Sequence, residues 1–277
     1  MASQVVRVGP LVLRGRALWI AVLVVFEVCG LWYFVRHAPS GEDQHLRRRQ
    51  SPANAPRCLV ARDRDARFVR QQLCVTAGQR STALADLLYE LRGVLTAAGV
   101  AFWLDSGSLL GQQRAGGVIP WDANADVGVL REGLETLRHT NVQLSDGYEL
   151  DVTNSRFYPS ADRREQLPAR FVERTHGFFV NIFVFDEEEE KEEAEDRGAT
   201  LATLPDRVWS RCVHCETVDV GGVGGRLERL KRFRIPRDWV FPLRTCTFER
   251  FQLTCPAQPE KYLTHLYGED YLDPAAW

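Results

Sequence analysis

Asp122, Asn124 and Asp126 stand at every second position of "PWDANADVGVL", and Gly107 and Ser108 precede them in "DSGSLLG". Side chains of an extended segment alternate faces, so Asn124 and Asp126 point the same way. Asp122 can join them at the strand's entry. Oxygen ligands of this kind suit Mg²⁺ or Mn²⁺, an ion commonly held by one or two carboxylates and completed by substrate phosphates. Such an ion neutralises a phosphoryl group and orients it for in-line attack. Gly107 and Ser108 sit where a strand would turn into a helix. Backbone N–H groups at that kind of turn donate to phosphate oxygens. Glycine permits close approach, and a serine hydroxyl adds a donor. A phosphate cradle and a metal site on one cleft is the reading; a plain Asx-type turn at "PWDAN" is the bland alternative.

The elements that would position these residues follow from periodicity. Leu84, Leu87, Leu88, Leu91 and Leu95 repeat at helical spacing, and Gly99 stops the run. Residues 100–105, 125–130 and 178–185 are short apolar runs that predict buried strands. Residues 186–196 hold nine acids in eleven positions and predict a solvated loop. Residues 217–225 are glycine-rich without a following Lys-Ser/Thr, which predicts a flexible turn. Residues 259–268 place Pro at a helix start and Gly past its end. Trp121 and Tyr267 read as packing residues before they read as ligand stackers. The pattern is mixed α/β.

The chain has 277 residues, 45% hydrophobic and 26% charged, with net charge −2, so no excess of positive charge points to nucleic acid. Residues 17–35 are almost entirely apolar and of a length that spans a bilayer core. The segment predicts an uncleaved anchor between a short cytosolic tail, 1–16, and an Arg/Pro/Ser-rich stem, 36–72, with a globular domain over 73–277. Glu27 and Cys29 fall inside the span. Arginines lie on both sides of it, so charge alone does not orient it. Six of the seven cysteines follow the span, an even number that suits a disulfide-permissive lumen. Cys212 and Cys215 have CxxC spacing, and Cys246 and Cys255 flank a plausible hairpin. Two disulfides, a structural Zn²⁺ held by the four sulfurs, or free thiols are the alternatives.

The stretch 107–126 resembles the LicD/fukutin family of nucleotidyltransferase-fold phosphotransferases. The resemblance rests on Gly107, Ser108, Leu109, Leu110, Gly111, Arg114, Gly117, Ile119, Pro120, Trp121, Asp122, Asn124 and Asp126. It extends to the closing "FPLRTCTFERFQLTCPAQPEKYLTHLYGEDYLDP" and so covers roughly residues 84–274. The resemblance implies a nucleotidyltransferase-like α/β (α+β) domain, a mixed sheet flanked by helices. It also implies a membrane-anchored enzyme of the Golgi or endoplasmic reticulum, single-pass type II, with its domain luminal. That enzyme would move a phospho-polyol, phosphosugar or phosphocholine group from a CDP-linked donor to a glycan hydroxyl. Arg114 matches the family's arginine, a partner for donor phosphate. Asp122 and Asp126 are the catalytic candidates, and Asp105 could assist.

Two positions depart from the family pattern. Asn124 replaces the middle aspartate. Asn181, in Val180-Asn181-Ile182-Phe183, replaces an acid expected on a later strand. Both remain in the expected metal set, Asp122, Asn124, Asp126 and Asn181, because an amide oxygen can bind a cation. Each lost charge at ~4 Å weakens cation binding by roughly 4 kcal/mol at an effective dielectric of ~20, before desolvation. A catalytically inactive scaffold that binds a glycan or a glycosyltransferase is therefore the second functional reading.

Overall fold

The computed structural model describes residues 58–59, 64–69, 74–160, 163–165, 167–189, 198–221 and 227–273. The expected tail and anchor, with Glu27 and Cys29, and most of the stem lie outside them. No helix among the described residues is long and apolar enough to cross a membrane.

The first helix, α1 (Ala77–Ala97), starts earlier than the leucine pattern suggests. Thr76 supplies the reason: its hydroxyl accepts from the Gln79 amide, and the Gln79 side chain accepts from the Thr76 amide. The buried leucines face inward, and Gly99 ends the run with φ +71°. Strand β1 (Phe102–Leu104) follows, then α2 (Ser106–Ala115), β2 (Ala125–Leu130) and α3 (Arg131–His139). Next come β3 (Tyr148–Val152), β4 (Ala169–Glu173), β5 (Phe179–Glu188) and β6 (Thr200–Ala202). A short 3-10 helix (Arg207–Arg211) leads to β7 (Glu216–Gly221), β8 (Leu227–Arg232) and β9 (Arg234–Pro236). The chain closes with β10 (Arg244–Phe248), β11 (Phe251–Cys255) and α4 (Pro259–Tyr267).

The main sheet runs β1-β2-β5-β4-β3, with β6 added to the end of β5 and β9 to β6. Strands β2 and β5 are parallel, and the other pairs are antiparallel. Helix α1 packs on β4 and β5, and α3 on β2 and β5, which closes a mixed α/β core. Trp103 is fully buried at its centre. Its register partner is Gly128, where a Cβ would lie 2.4 Å from the indole, so the glycine makes room for the ring.

Two expectations need correction. Residues 186–188 are not loop: they continue β5 and pair with β6. Cations distant in sequence neutralise them there. Arg131 grips Asp186 through two hydrogen bonds of 2.8 and 3.0 Å, Arg237 faces Glu187, and Arg232 binds Glu188. Of the stretch 217–225, residues 217–221 are strand and not turn, since residues 216–221 pair with 227–232. Residues 190–197 and 222–226 lie outside the described set.

All six described cysteines pair: Cys58–Cys74, Cys212–Cys215 and Cys246–Cys255. The four sulfurs considered for zinc are thus held in two disulfides. Part of the expected stem is fastened to the domain as well. Arg67 reaches Asp151 on β3, and Asp65 donates its amide to the Gly177 carbonyl at 2.7 Å.

Candidate active site

Asp105 follows β1 directly and caps α2. Its Oδ1 accepts from the Ser106 amide at 2.6 Å and from the Tyr262 hydroxyl at 2.7 Å. Ser106 enters the helix with φ +45°, a left-handed conformation that costs energy for serine and makes the turn abrupt. The Asp105 amide donates to the Asp126 carbonyl at 3.1 Å, extending the β1–β2 pairing by one position. Burial pushes the Asp105 carboxyl up to about 6 against the pull of its hydrogen bonds. Its Oδ2 is buried without a hydrogen-bond partner.

Ser108 does not face the cleft. Its buried hydroxyl accepts from the Asp126 amide at 2.8 Å and so anchors the start of β2. The phosphate-binding role expected of it does not match that placement, because a residue one turn into α2 looks toward the sheet. Ser106 and Gly107 line the cleft instead. Arg114 also lines the cleft, yet its Nε donates to the Tyr271 carbonyl at 2.7 Å and one Nη to the Asp273 carbonyl at 3.0 Å. Its guanidinium fastens the C-terminal segment rather than reaching only toward a ligand.

Asp122 and Asp126 converge at Gly107. A Cβ on Gly107 would lie 2.5 Å from Asp122 Oδ2 and 3.6 Å from Asp126 Oδ2. Burial raises the Asp122 carboxyl above its ordinary range, while Arg80 draws it down. Asp126 is pushed up to about 8, first by burial and then by the negative charge of Asp122. Its Oδ1 accepts from Asn124 Nδ2 at 2.9 Å and from Asn181 Nδ2 at 3.1 Å. Burial, then Asp126 and Asp105, raise the Tyr267 phenol beside them.

These residues line a cleft of ≈ 630 Å³. A larger cavity, ≈ 880 Å³, lies by His214, Glu216 and Arg237, and its lining does not include Gly107, Asp122 or Asp126. At the mouth of the smaller cleft Trp121 is 59% exposed, with Val208 also exposed nearby. Trp121 is therefore a rim residue and not a packing one.

Several contributors were not anticipated. Glu249, at the β10–β11 turn, accepts from the Val118 amide at 3.0 Å and donates its own amide to the Gly116 carbonyl at 2.6 Å. It holds the loop that delivers Trp121 and Asp122. Arg80, on α1, binds the Pro120 carbonyl. Arg170, on β4, donates to Asn181 Oδ1 at 3.3 Å. Arg80 carried a signal, a cation at the start of an apolar helix; Glu249 and Arg170 are linked to the site only by tertiary register.

The donor set decides whether a divalent ion fits. Among the described residues no three His, Cys, Asp or Glu gather as a metal site. Two carboxylates do converge, and one is so buried that its charged form is disfavoured. Added positive charge is favourable at such a place. A hard ion bound by two carboxylates and completed by phosphate oxygens meets both conditions. The residues present fit that ion.

Fold and cleft together define a mixed α/β protein with paired acids at a strand-to-helix turn. Residues 99–203, less than half of the chain, match the LicD/FKTN/FKRP nucleotidyltransferase domain. It is 50% identical over 50 residues to "Ribitol 5-phosphate transferase FKRP" of Homo sapiens, a stretch covering 18% of this chain and 10% of that protein. The mouse protein of the same name matches equally. "Uncharacterized protein RP689" of Rickettsia prowazekii is 34% identical over 56 residues, 20% of this chain and 21% of that one. The chain thus spans about a tenth of the length of the ribitol phosphate transferases it matches.

Proposed function

We propose that this protein transfers a phosphorylated small group, of the ribitol phosphate type, from a CDP-linked donor to a glycan hydroxyl. The observation that carries the reading is the convergence of Asp122 and Asp126 on Gly107 at the start of α2. The family match over residues 99–203 supports the same chemistry. In the reaction a P–O bond forms to the acceptor oxygen while the bond from that phosphorus to the bridging oxygen breaks. CMP leaves with the bridging oxygen, and the acceptor's proton is lost.

The roles follow from the geometry. Gly107 lets the Asp122 carboxylate close on the turn, and Ser106 and Gly107 at the head of α2 line the cleft where donor phosphate would sit, its charge favoured by the helix N-terminus. Asp122 and Asp126 would hold Mg²⁺ or Mn²⁺. When bound, the ion would neutralise charge on the transferred phosphoryl group. The same two carboxylates are the groups in the cleft able to hold the proton of an acceptor hydroxyl. Exposed Trp121 offers a face to donor or acceptor at the cleft mouth. Three disulfides and the apolar residues 17–35 support a luminal domain anchored in the Golgi or endoplasmic reticulum membrane.

CMP release from a panel of CDP-linked donors, with the full chain, Mn²⁺ and glycan acceptors, tests the reading. Release that disappears in Asp126→Ala is expected. One specific observation favours a second reading, an inactive scaffold: two amides stand where the family pattern has acids, and both point N–H groups at Asp126. A chain that binds glycan but neither Mn²⁺ nor any CDP donor would establish the scaffold.

A further inference from the structure

One line of polar side chains crosses the sheet. Asp126 on β2 is the register partner of Asn181 on β5, Asn181 of Arg170 on β4, and Arg170 of Asp151 on β3. Directly paired residues share a face of a sheet, so these side chains meet in sequence. Asn181 is the link between a carboxylate and a guanidinium. Its Oδ1 takes the hydrogen bond from Arg170 Nε at 3.3 Å, and its Nδ2 gives one to Asp126 Oδ1 at 3.1 Å.

The chemistry of the two neighbours dictates that orientation. A guanidinium only donates, so the atom of Asn181 facing it must be the oxygen. A carboxylate oxygen accepts, so the atom facing Asp126 must be the nitrogen. Turning the amide over would set N–H against N–H on one side and oxygen against oxygen on the other. Arg170 is itself held in place. Its guanidinium lies 3.7 Å above the centroid of Phe179, and Asp65 stands 4.0 Å away on the N-terminal segment. Asp151, its cross-strand neighbour, is engaged by Arg67.

We propose that Asn181 serves Asp126 as a hydrogen-bond donor and not as a metal ligand, with Arg170 as the positioning residue that fixes its amide. The inference rests on the reading of Asp122 and Asp126 as the ion-binding pair. Asn124 adds a second donor to the same oxygen. Asp126 Oδ1 thereby takes two side-chain donors, whereas Oδ2, on the side of Gly107, whose backbone N–H also hydrogen-bonds the carboxylate, faces Asp122 Oδ2 and keeps acceptor capacity for the ion. The two amides thus orient a two-carboxylate site instead of serving as weakened copies of acid ligands.

The test uses the full chain labelled with ¹⁵N in its asparagine side chains, of which there are five. The Asn181 signals are assigned by their loss in Asn181→Leu. Metal-free, one Asn181 amide proton should be shifted downfield and protected from exchange. It should remain so at saturating Mg²⁺, and lose protection in Arg170→Met. An unprotected amide, or one released by Mg²⁺ as its oxygen turns to the ion, would overturn the proposal. Mn²⁺ affinity then separates wiring from simple charge. Arg170→Met should tighten Mn²⁺ binding on the order of tenfold more with Asn181 present than in the Asn181→Leu background. Equal tightening in both would mean that Arg170 acts only as a repelling charge, and would overturn its positioning role. If the unaltered chain binds no Mn²⁺, the ion-binding reading of the cleft fails. The metal-free amide signal and its dependence on Arg170 then decide the wiring alone.

Discussion

Gly107 and Asp122 touch across the mouth of the cleft: a methyl group on Gly107 would lie 2.5 Å from Asp122 Oδ2. That distance is far inside van der Waals contact, so Gly107→Ala must push the carboxylate away. Asp122 lies just before β2 and can move without breaking the sheet. Mn²⁺ affinity and CMP release are expected to fall on the order of 10–100-fold while the melting temperature changes little. Calorimetric titration beside a thermal melt measures both. Unchanged Mn²⁺ affinity would remove Asp122 from the ion site.

The buried acids make metal-free stability depend on pH. Asp126 is raised to about 8 and Asp105 to about 6, each chiefly by burial, from an ordinary 3.8. The folded chain therefore keeps protons that the unfolded chain has released. Stability from these groups is full below about 4 and is lost as pH rises through about 6 and then about 8. An ion at Asp126 must displace that proton. Apparent Mn²⁺ affinity is expected to rise up to about tenfold per pH unit below about 8 and to flatten above it. Thermal melts from pH 5 to 9, with and without Mn²⁺, should diverge as pH increases. Asp126→Asn should flatten the upper part of the metal-free curve. A metal-free melting temperature that climbs between pH 6 and 8 would contradict this assignment.

Ser108 separates a supporting role from a binding one. Its hydroxyl is the acceptor for the buried Asp126 amide. Ser108→Ala leaves that N–H without its partner, at a cost of about 1–3 kcal/mol, or roughly 2–12 °C in melting temperature. Donor affinity, measured well below the melting range, should fall far less than in Gly107→Ala. A large loss of donor affinity with no change in stability would return Ser108 to the phosphate cradle.

What could be read in advance was local. The 125–130 strand, the α4 helix and the cleft residues Gly107, Asp122 and Asp126 follow from short-range pattern and spacing. Thr76 and Gln79 spell a capping box, so the true start of α1 was available too. The extension of β5 through Asp186, Glu187 and Glu188 was not, because the arginines that neutralise them sit on α3, on β8 and just after β9. Charge density predicts solvent exposure unless its partners are known. Arg170 was hidden for the same reason. Its place beside Asn181 is a matter of strand register across β4 and β5, which spacing within either strand does not contain. Asn124 and Asn181 stand out in the sequence as departures from a family pattern, but only the hydrogen bonds show which end of each amide faces Asp126.

Arg114 tests how far the family resemblance carries for a single side chain. The resemblance assigns it to donor phosphate, whereas its Nε and one Nη bind the carbonyls of Tyr271 and Asp273. Arg114→Met removes both bonds. The site is partly exposed, so solvent discounts their worth to about 1–3 kcal/mol together, or roughly 2–12 °C in melting temperature. Hydrogen exchange should accelerate in residues 271–273. Arg114→Lys should restore little, since an ammonium cannot reproduce the planar fork that spans two carbonyls. Donor affinity in Arg114→Met is expected to fall less than about tenfold, against the roughly 10–100-fold loss of Mn²⁺ affinity and CMP release in Gly107→Ala. A melting temperature and exchange pattern like those of the unaltered chain, combined with lost donor binding, would show instead that the guanidinium leaves the C-terminal segment to hold phosphate.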